Sequence, residues 1–195
     1  MLTPLIAKLL WVAGIVGWFV IRYPYQRRAA RQKVARVAAP VGDRIVLGIA
    51  TLGQFVIPIV YLVTGWPQGA DYGFLPWLAW LGVILLVAAL ALFRVTHVYL
   101  GRNWSISLET REKHSLVTSG VYAWVRHPMY SSFLLSALAQ LCLLQNWVAG
   151  PAGVVGFAVL FLFRVNREEG LMTETFGEEY RAYSRRTARI VPWLF

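Results

Sequence analysis

The sequence predicts an all-α protein: a polytopic membrane helical bundle of about five transmembrane helices, with residues 1–195 forming a single membrane domain. Hydrophobic residues make up 58% of the chain and the mean hydropathy is +0.56, which is more apolar than an ordinary soluble domain of this length. Apolar stretches long enough to cross a bilayer alternate with segments that hold nearly all of the cations. Together these observations predict the fold class.

The first three predicted spans cover residues 3–21, 45–63 and 75–93. A bilayer core about 30 Å thick requires roughly 20 apolar residues of helix, and each stretch meets that length. Lys8, the only charged residue in the first stretch, lies close enough to its end to reach the headgroups. Because the cations follow this stretch instead of preceding it, we expect a retained span and not a signal peptide. Pro58 predicts a kink in the second span.

The last apolar stretch, residues 128–163, contains no charge and is too long for one span. Its middle reads QNWVAGPAG, which is rich in residues that favour turns. We therefore predict a hairpin of two helices, residues 128–145 and 150–164, of which the second is rather short. A cytosolic C-terminal amphipathic helix is expected over residues 168–183, with Gly177 bending or interrupting it.

Loop charge predicts the orientation, because Lys and Arg are retained on the cytosolic side of a membrane. The connection 22–44, the segment 94–126 and the tail from Arg164 onward hold 18 of the 19 cations. The connections on the opposite face carry only Asp71. We expect the N-terminus outside, the C-terminus and the functional site facing the cytosol, and contact between the basic first connection and anionic membrane lipids.

Charge and cysteine content exclude several classes of protein. The net charge of +10 is explained by membrane topology and not by nucleic-acid binding, because the cations are clustered between apolar blocks. The single cysteine, Cys142, lies in an apolar run, so no intrachain disulfide is possible and we interpret it as a packing residue. The three histidines form neither an HExxH motif nor a Cys/His cluster, and we expect no metal site.

Polar residues gather at the predicted cytosolic ends of the last two spans. The hairpin should bring His127 and Tyr130 close to Arg164, Glu168 and Glu169. Arg164 and Glu168 are four residues apart and share a helix face, whereas Glu169 points about 100° away. A surface ion pair is one interpretation. Charges at the membrane edge are costly unless they face a partner or a cavity, which favours a functional role.

Two further features have both a functional and a structural interpretation. Arg126, His127 and Pro128 predict a helix start, whose free N–H groups would suit an anionic group such as a cofactor carboxylate. Alternatively, the two cationic side chains only anchor the helix at the headgroups. The aromatic residues at helical spacing in the tail, such as Tyr180 and Tyr183, are more typical of packing against the bundle than of a cofactor site, although they could roof the pocket.

Several motifs occur in order between residues 100 and 192. LGRNWS contains Gly101, Asn103, Trp104 and Ser105, and GVYAWV leads into RHPMY at 126–130. R-x3-EE follows at 164–169, then L-x4-FG-x2-Y-x2-Y and T-x-R-x2-P. This ordered set resembles the isoprenylcysteine carboxyl methyltransferases, including their prokaryotic relatives, over about half of the chain. No GxGxxG turn occurs, so the sequence lacks the glycine-rich cradle of soluble dinucleotide-binding folds.

The resemblance implies a small membrane methyltransferase that uses S-adenosyl-L-methionine and releases S-adenosyl-L-homocysteine. The cofactor would bind within residues 100–192, in a cytosol-facing pocket formed by the last two spans and the tail. Arg164 and Glu168 would be the catalytic residues near the reacting group. The cofactor-binding candidates are Tyr122, His127, Pro128, Tyr130 and Glu169.

Four functions remain open at this point. In the preferred one, Arg164 holds the carboxylate of an isoprenylcysteine-like acceptor and Glu168 orients Arg164. An amine acceptor, as in related phospholipid N-methyltransferases, would need Glu168 as a base. The third possibility is a membrane sterol reductase, because these enzymes share a related RHP-containing bundle but use NADPH. The fourth is a lipid-binding or scaffold protein. The first hundred residues carry no motif that identifies the acceptor.

Overall fold

The computed structural model describes residues 2–29, 34–37, 41–101, 109–111 and 115–194. Asn103, Trp104 and Ser105 of the LGRNWS motif lie outside this part of the chain. Within it, regular structure is almost entirely helical, which confirms the predicted helical class. The helices are α1 Pro4–Ala29, α2 Val41–Thr51, α3 Ile57–Thr64, α4 Pro76–Leu100, α5 Pro128–Leu143, α6 Ala149–Phe176 and α7 Glu178–Arg186.

Four helical segments are long and apolar enough to cross a membrane. They are α1, the combined segment Gly42–Thr64, α4 and α6. Their outward faces carry exposed apolar side chains such as Val20, Val63 and Leu162, and such a surface is stable in lipid and not in water. The protein is therefore an integral membrane protein with a polytopic helical fold, as predicted.

The second span is interrupted next to Pro58, as the sequence predicts. Residues Leu52–Val56 form a π-helical turn between α2 and α3, in which the Ile57 N–H donates to the Leu52 carbonyl. This wider register leaves the Gly53 carbonyl without its usual helical donor. The side-chain amide of Gln140, on α5, donates to that carbonyl at 3.0 Å. The break in the second span is thereby compensated from a neighbouring helix.

The hairpin of α5 and α6 confirms the predicted turn and corrects the predicted lengths. The sequence predicts the second helix to be short and to end near residue 164, whereas α6 has 28 residues and continues to Phe176. The shorter member is α5, whose 16 residues rise about 24 Å. The prediction was wrong because it ended the helix at the first charged residue, although a helix that leaves the bilayer can continue in water. The catalytic candidates Arg164 and Glu168 lie within this one continuous helix, on the shared helix face that their spacing predicts.

Polar side chains fix the turn of this hairpin. The buried Asn146 accepts from the N–H of Ala149 at 2.9 Å and donates to the Asp71 carboxylate at 2.6 Å. The Asp71 carboxylate also accepts from the Tyr61 hydroxyl at 2.9 Å. Gln145 bonds to both the N–H and the carbonyl of Leu75. At this end of the bundle, the Asp71 carboxylate is thus bound by the hydroxyl of Tyr61 and the amide of Asn146.

Two connections meet at the end of the bundle opposite the hairpin turn, which we call the charged end. β1 (Val34–Val37) and β2 (Glu109–Arg111) form an antiparallel pair in which Val37 lies opposite Glu109. One strand follows α1 and the other follows α4, so the first and third connections lie on one side of the bundle. The loop charges predict this common side.

Helices approach closely where α6 crosses the second span. A Cβ added to Gly53 would collide with the Ala152 carbonyl, and one added to Gly156 would lie 3.2 Å from the Ala50 Cα. Small residues at such crossings allow backbones to pack closely in a membrane, where helix association depends on van der Waals contact. This crossing positions α6, and therefore its charged C-terminal half, against α2.

Candidate active site

The C-terminal tail is bound across the start of α5. The N–H groups of Arg126 and His127 donate to the carbonyls of Ala188 and Arg189 at 2.7 and 2.9 Å. The Arg126 guanidinium also donates to the Ser184 carbonyl at 2.8 Å. These bonds tie the tail to the RHP motif, and they place the Arg189 side chain at the charged end.

α7 is turned against the bundle at Gly177, which interrupts the C-terminal helix as predicted. Gly177 has φ +55° and ψ −127°, a conformation that a residue with a Cβ rarely adopts. The Tyr183 hydroxyl donates to the buried Tyr122 carbonyl at 2.7 Å. Burial raises the pKa of Tyr183 to about 12, so its hydroxyl remains a donor at physiological pH.

Tyr180, one turn earlier on α7, differs from Tyr183. Its side chain is only 4% exposed, and its hydroxyl has no hydrogen-bond partner among the residues that the structure describes. Burial and the charge of Glu169 raise the pKa of this hydroxyl, which therefore stays protonated. A buried donor without a partner is costly, and it identifies a place where a polar ligand group would be stabilised.

Glu169 is the centre of the charged end. Its carboxylate accepts from Arg126 Nε at 3.0 Å and from Arg189 Nη2 at 2.9 Å, and it lies 3.2 Å from His127 Nε2. Hydrogen bonds between charged partners are the strong type. One carboxylate on α6 thus holds a residue before α5, the residue that caps α5 and a residue of the tail.

Glu168 lies beside this centre but has different surroundings. Its carboxylate accepts from the Tyr130 hydroxyl at 3.0 Å and lies 4.0 Å from His127 Nδ1. The Glu168 side chain is 33% exposed, whereas that of Glu169 is 16% exposed. Glu168 is therefore the more accessible of the two acids. As the sequence predicts, the hairpin brings His127 and Tyr130 against the pair of glutamates.

Arg164 has a partner that the sequence analysis did not identify. Its Nε lies 3.4 Å from Asp43 Oδ1, and the two residues are 9% and 2% exposed. Asp43, on α2, is thus a partner of Arg164 in addition to the predicted Glu168, whose role in orienting Arg164 stays a prediction. The signal was present in the sequence: Asp43 is the only acid in the first connection, and it directly precedes an apolar span.

A cavity of about 150 Å³ lies on the membrane side of this ion pair. Its wall comes from α1, α2, α4, α5 and α6 and is mostly apolar. Leu47 and Leu160, which line it, lie one helical turn from Asp43 and Arg164 respectively. Arg22 also lines the cavity. The charged end therefore continues directly into an apolar space within the bundle.

The structure places all seven predicted site residues at the charged end. Pro128 is the buried first residue of α5, and Tyr122 is buried against α7. Arg189 was missed because only the fold brings the tail to α5, although it stands in the T-x-R-x2-P motif. Tyr180 was assigned to packing, and its unpaired hydroxyl has no signature in the sequence.

The fold and the site define an integral membrane protein in which the helical hairpin and the tail form a cluster of charged residues next to an apolar cavity. A family model, that of the isoprenylcysteine carboxyl methyltransferase family, matches residues 80–174. The matched segment contains the RHPMY and R-x3-EE motifs, so this part of the chain is similar to the isoprenylcysteine carboxyl methyltransferases.

Named relatives and a solved structure show the same similarity. The protein-S-isoprenylcysteine O-methyltransferase of Rattus norvegicus is 30% identical over 131 residues, which cover 66% of this chain and 45% of the rat protein. The protein-S-isoprenylcysteine O-methyltransferase B of Arabidopsis thaliana is 31% identical over 124 residues, which cover 60% of this chain and 61% of that protein. The chain thus spans about half the length of these relatives.

The structural comparison extends beyond the matched segment. A solved eukaryotic intramembrane Ras methyltransferase, an isoprenylcysteine carboxyl methyltransferase, superimposes with a TM-score of 0.53 and 25% sequence identity. The superposition covers 76% of this chain and 52% of the other. The similarity therefore extends over about three quarters of the chain, which is more than the segment that the family model matches.

Proposed function

We propose that this protein is a membrane carboxyl methyltransferase that uses S-adenosyl-L-methionine and acts on a lipophilic, isoprenylcysteine-like acceptor. The observation that supports the proposal most directly is that a charged site and an apolar cavity lie next to each other. A cluster of acids, guanidinium groups and a histidine lies beside the Arg164–Asp43 ion pair, and an apolar cavity within the bundle begins one helical turn away, at Leu47 and Leu160. Such a site suits the transfer of a group between a polar donor and a lipid-like acceptor.

The residues of the charged end fit a cofactor with amino, carboxylate and hydroxyl groups. Glu168 is an accessible acid, and the buried Tyr180 hydroxyl has no partner among the described residues. In the proposal, His127, Tyr130 and Glu169 form the cofactor side of the site, with Tyr122 and Pro128 shaping its wall. When bound, S-adenosyl-L-methionine supplies a methyl group on a sulfonium, and its transfer to an acceptor oxygen leaves the electron pair of the broken carbon–sulfur bond on sulfur.

Arg164 forms the acceptor side of the proposed site. A carboxylate acceptor is ionised at neutral pH, so the enzyme has no proton to remove and must mainly align and desolvate the reactants. The guanidinium of Arg164 can hold a carboxylate while Asp43 fixes the position of Arg164. In this account Glu168 lies next to the reacting group and shapes its electrostatic environment.

The orientation and the binding partners are part of the proposal. The positive-inside rule puts the charged end in the cytosol, where S-adenosyl-L-methionine is available, and the N-terminus outside. The acceptor is a lipophilic small molecule or a prenylated chain that enters from the bilayer, and membrane lipids contact the remaining outer surface. The exposed apolar faces of α1 and α4 support this lipid contact.

Base lability of the product tests the proposal. The purified protein in nanodiscs would be incubated with methyl-labelled S-adenosyl-L-methionine and N-acetyl-S-farnesyl-L-cysteine. A methyl ester releases labelled methanol in mild base, and we expect this release to fall at least about tenfold in Arg164→Gln, which lacks the acceptor's charged partner. Arg181→Gln is the matched control, because Arg181 pairs with Glu178 on an exposed surface.

The same assay distinguishes the amine alternative. A label that is transferred to a phospholipid amine would be stable to mild base, and this result would contradict carboxyl methylation. Replacement of Glu168 by Gln gives a second criterion. An amine methyltransferase that uses Glu168 as its base should lose activity in a pH-dependent manner, whereas a carboxyl methyltransferase should not.

A further inference from the structure

Residues 190–194, which we call the tail tip, turn back toward the apolar part of the bundle. The Ser131 hydroxyl, one turn into α5, donates to the Ile190 carbonyl at 2.5 Å. The Ile190 side chain packs against the hydrophobic cluster that includes Tyr130 and Phe157. The tail therefore passes from the charged residues of the site to the level at which the apolar surface of the hairpin begins.

The tail tip exposes a cluster of apolar side chains. Trp193 is 87% exposed, and Val191 and Leu194 are exposed as well. The Trp193 ring centroid lies 5.8 Å from that of Trp124, which is also exposed. Trp193 has φ +63°, which is unusual for a bulky side chain. Because the described residues bury little of this surface, an apolar environment outside the protein would stabilise it.

The α5–α6 hairpin is shorter than the apolar core of a bilayer. α5 rises about 24 Å and the apolar part of α6, residues 149–163, rises about 22 Å, whereas the core is about 30 Å thick. The exposed Trp147 at the hairpin turn is typical of a residue at the opposite membrane interface. At the charged end, the bilayer must therefore become thinner, or other apolar residues must extend the apolar surface. The tail tip, beside the first turn of α5, provides this extension.

Two exposed cations precede the tail tip. Arg185 and Arg186 lie in the last turn of α7, whereas the acids of this helix lie in its first turn. Exposed guanidinium groups next to an apolar segment that contains Trp are typical of residues that bind anionic headgroups. Between these cations and the tail tip, Arg189 donates to Glu169 at 2.9 Å. The tail is thus bound to the site between a charged segment and an apolar segment.

We propose that the tail tip inserts into the lipid leaflet that surrounds the charged end. Trp124 and Trp193 lie at the interface, and Arg185 and Arg186 bind anionic headgroups. The lipid thereby holds the tail, and with it the contact between Arg189 and Glu169, against the start of α5. The inference does not depend on the proposed function, because it follows from the apolar surface and from the length of the hairpin.

The accessibility of a spin label at residue 194 tests the inference. The label would be attached to Leu194→Cys in nanodiscs, with little background because Cys142 is buried. Power saturation in electron paramagnetic resonance would measure its collisions with molecular oxygen and with a neutral, water-soluble nickel chelate. Oxygen concentrates in lipid and the chelate in water, so we expect oxygen to be the more effective relaxant. Glu179→Cys, at an exposed position on α7, is the control that should show the reverse order.

Replacement of exposed tryptophans gives a second criterion. Trp193→Ser should increase the collisions of the label at residue 194 with nickel, because it removes the interfacial ring. Trp147→Ser, at the opposite end of the bundle, is the matched control and should leave these collisions unchanged.

Either of two results in a folded protein would overturn the inference. Frequent collisions with nickel would place the tail tip in water. Few collisions with either reagent would show that protein covers it, such as a second copy of this chain. Neither readout involves methyl transfer, so the inference and the proposed function can fail separately.

Discussion

Glu168 and Glu169 are adjacent in the sequence, but their side chains make different contacts at the charged end. Glu169 is held by Arg126, His127 and Arg189 and organises three segments, whereas Glu168 contacts Tyr130 and is twice as exposed. Their difference follows from the helix, because successive residues point about 100° apart. Glu169 consequently faces the start of α5 and the tail, and Glu168 faces Tyr130 and remains more accessible.

Tyr180 and Tyr183 form a natural pair of test positions on α7. Tyr180→Phe removes a hydroxyl that has no partner among the described residues, so the ligand-free protein should be as stable as wild type or slightly more stable. Tyr183→Phe removes the donor to the Tyr122 carbonyl and should lower the free energy of unfolding by about 1 kcal/mol. Thermal unfolding in detergent measures both effects.

Ligand affinity should depend on Tyr180 more than on Tyr183, whereas stability depends on Tyr183 more than on Tyr180. If the Tyr180 hydroxyl contacts the cofactor, Tyr180→Phe weakens S-adenosyl-L-homocysteine binding by about tenfold, the value of one hydrogen bond in a buried site. Tyr183→Phe should change this affinity less. If Tyr180→Phe binds S-adenosyl-L-homocysteine with unchanged affinity, the Tyr180 hydroxyl does not contact the cofactor.

The ion pair between Asp43 and Arg164 should be important for stability as well as for the acceptor. Asp43→Asn leaves a buried guanidinium without its charged partner and should lower the free energy of unfolding by about 3 to 5 kcal/mol. The double variant Asp43→Leu, Arg164→Met should recover much of that loss but remain inactive. A fully stable Asp43→Asn protein would show that the pair does not hold α2 against α6.

Some residues of the site could be predicted from the sequence, and others could not. His127, Tyr130 and the glutamates were predictable because a hairpin brings the ends of its two helices together. Asp43 was recognisable only as the single acid of the first connection, since nothing in a single sequence shows that α2 packs beside α6. Tyr180 was not, because the absence of a hydrogen-bond partner exists only in the folded molecule.

Among the elements, α7 depends most on one residue. Gly177 separates it from α6 with φ +55°, and Gly177→Ala should cost about 1 to 3 kcal/mol and weaken S-adenosyl-L-homocysteine binding by displacing the tail. Gly170→Ala is the matched control. Neither added Cβ would meet an atom within 4 Å, but Gly170 is helical, so alanine there should be neutral or stabilising by up to about 1 kcal/mol. Equal effects of the two substitutions would argue against a special conformation at Gly177.

Element boundaries show what hydrophobicity can and cannot predict. The apolar stretches and the QNWVAGPAG turn identified the spans because lipid contact requires a long apolar surface. The π-helical turn at Leu52–Val56 was foreseen only as a kink at Pro58, since its register depends on the donor that Gln140 supplies from α5. The extension of α6 to Phe176 was missed because hydrophobicity ends before the helix does.

For the whole molecule, the account predicts which ends of the helices face the cytosol. Gly69→Cys, between α3 and α4, and Glu179→Cys, on α7, introduce exposed thiols at opposite ends of the bundle. A membrane-impermeant maleimide should label the first in intact cells and the second only in inverted vesicles. The wild type, in which Cys142 is buried, gives the background. The reverse labelling pattern would contradict the proposed orientation.

The same arrangement explains how one small bundle could serve two very different ligands. The charged cluster lies at the end of the apolar part of the hairpin and the cavity lies inside the bundle, so in the proposal a polar donor and a lipophilic acceptor meet near Arg164. Cofactor binding at the charged end is the step on which the proposed function depends most.

Calorimetric titration of S-adenosyl-L-homocysteine into wild type, His127→Ala and Glu169→Ala tests that claim most directly. We expect micromolar binding to wild type and none to either variant, because each substitution removes a member of the same hydrogen-bonded cluster. Folding of the variants would be checked by their thermal unfolding. No binding to a folded wild type would contradict the account, and binding of NADPH in its place would indicate a reductase.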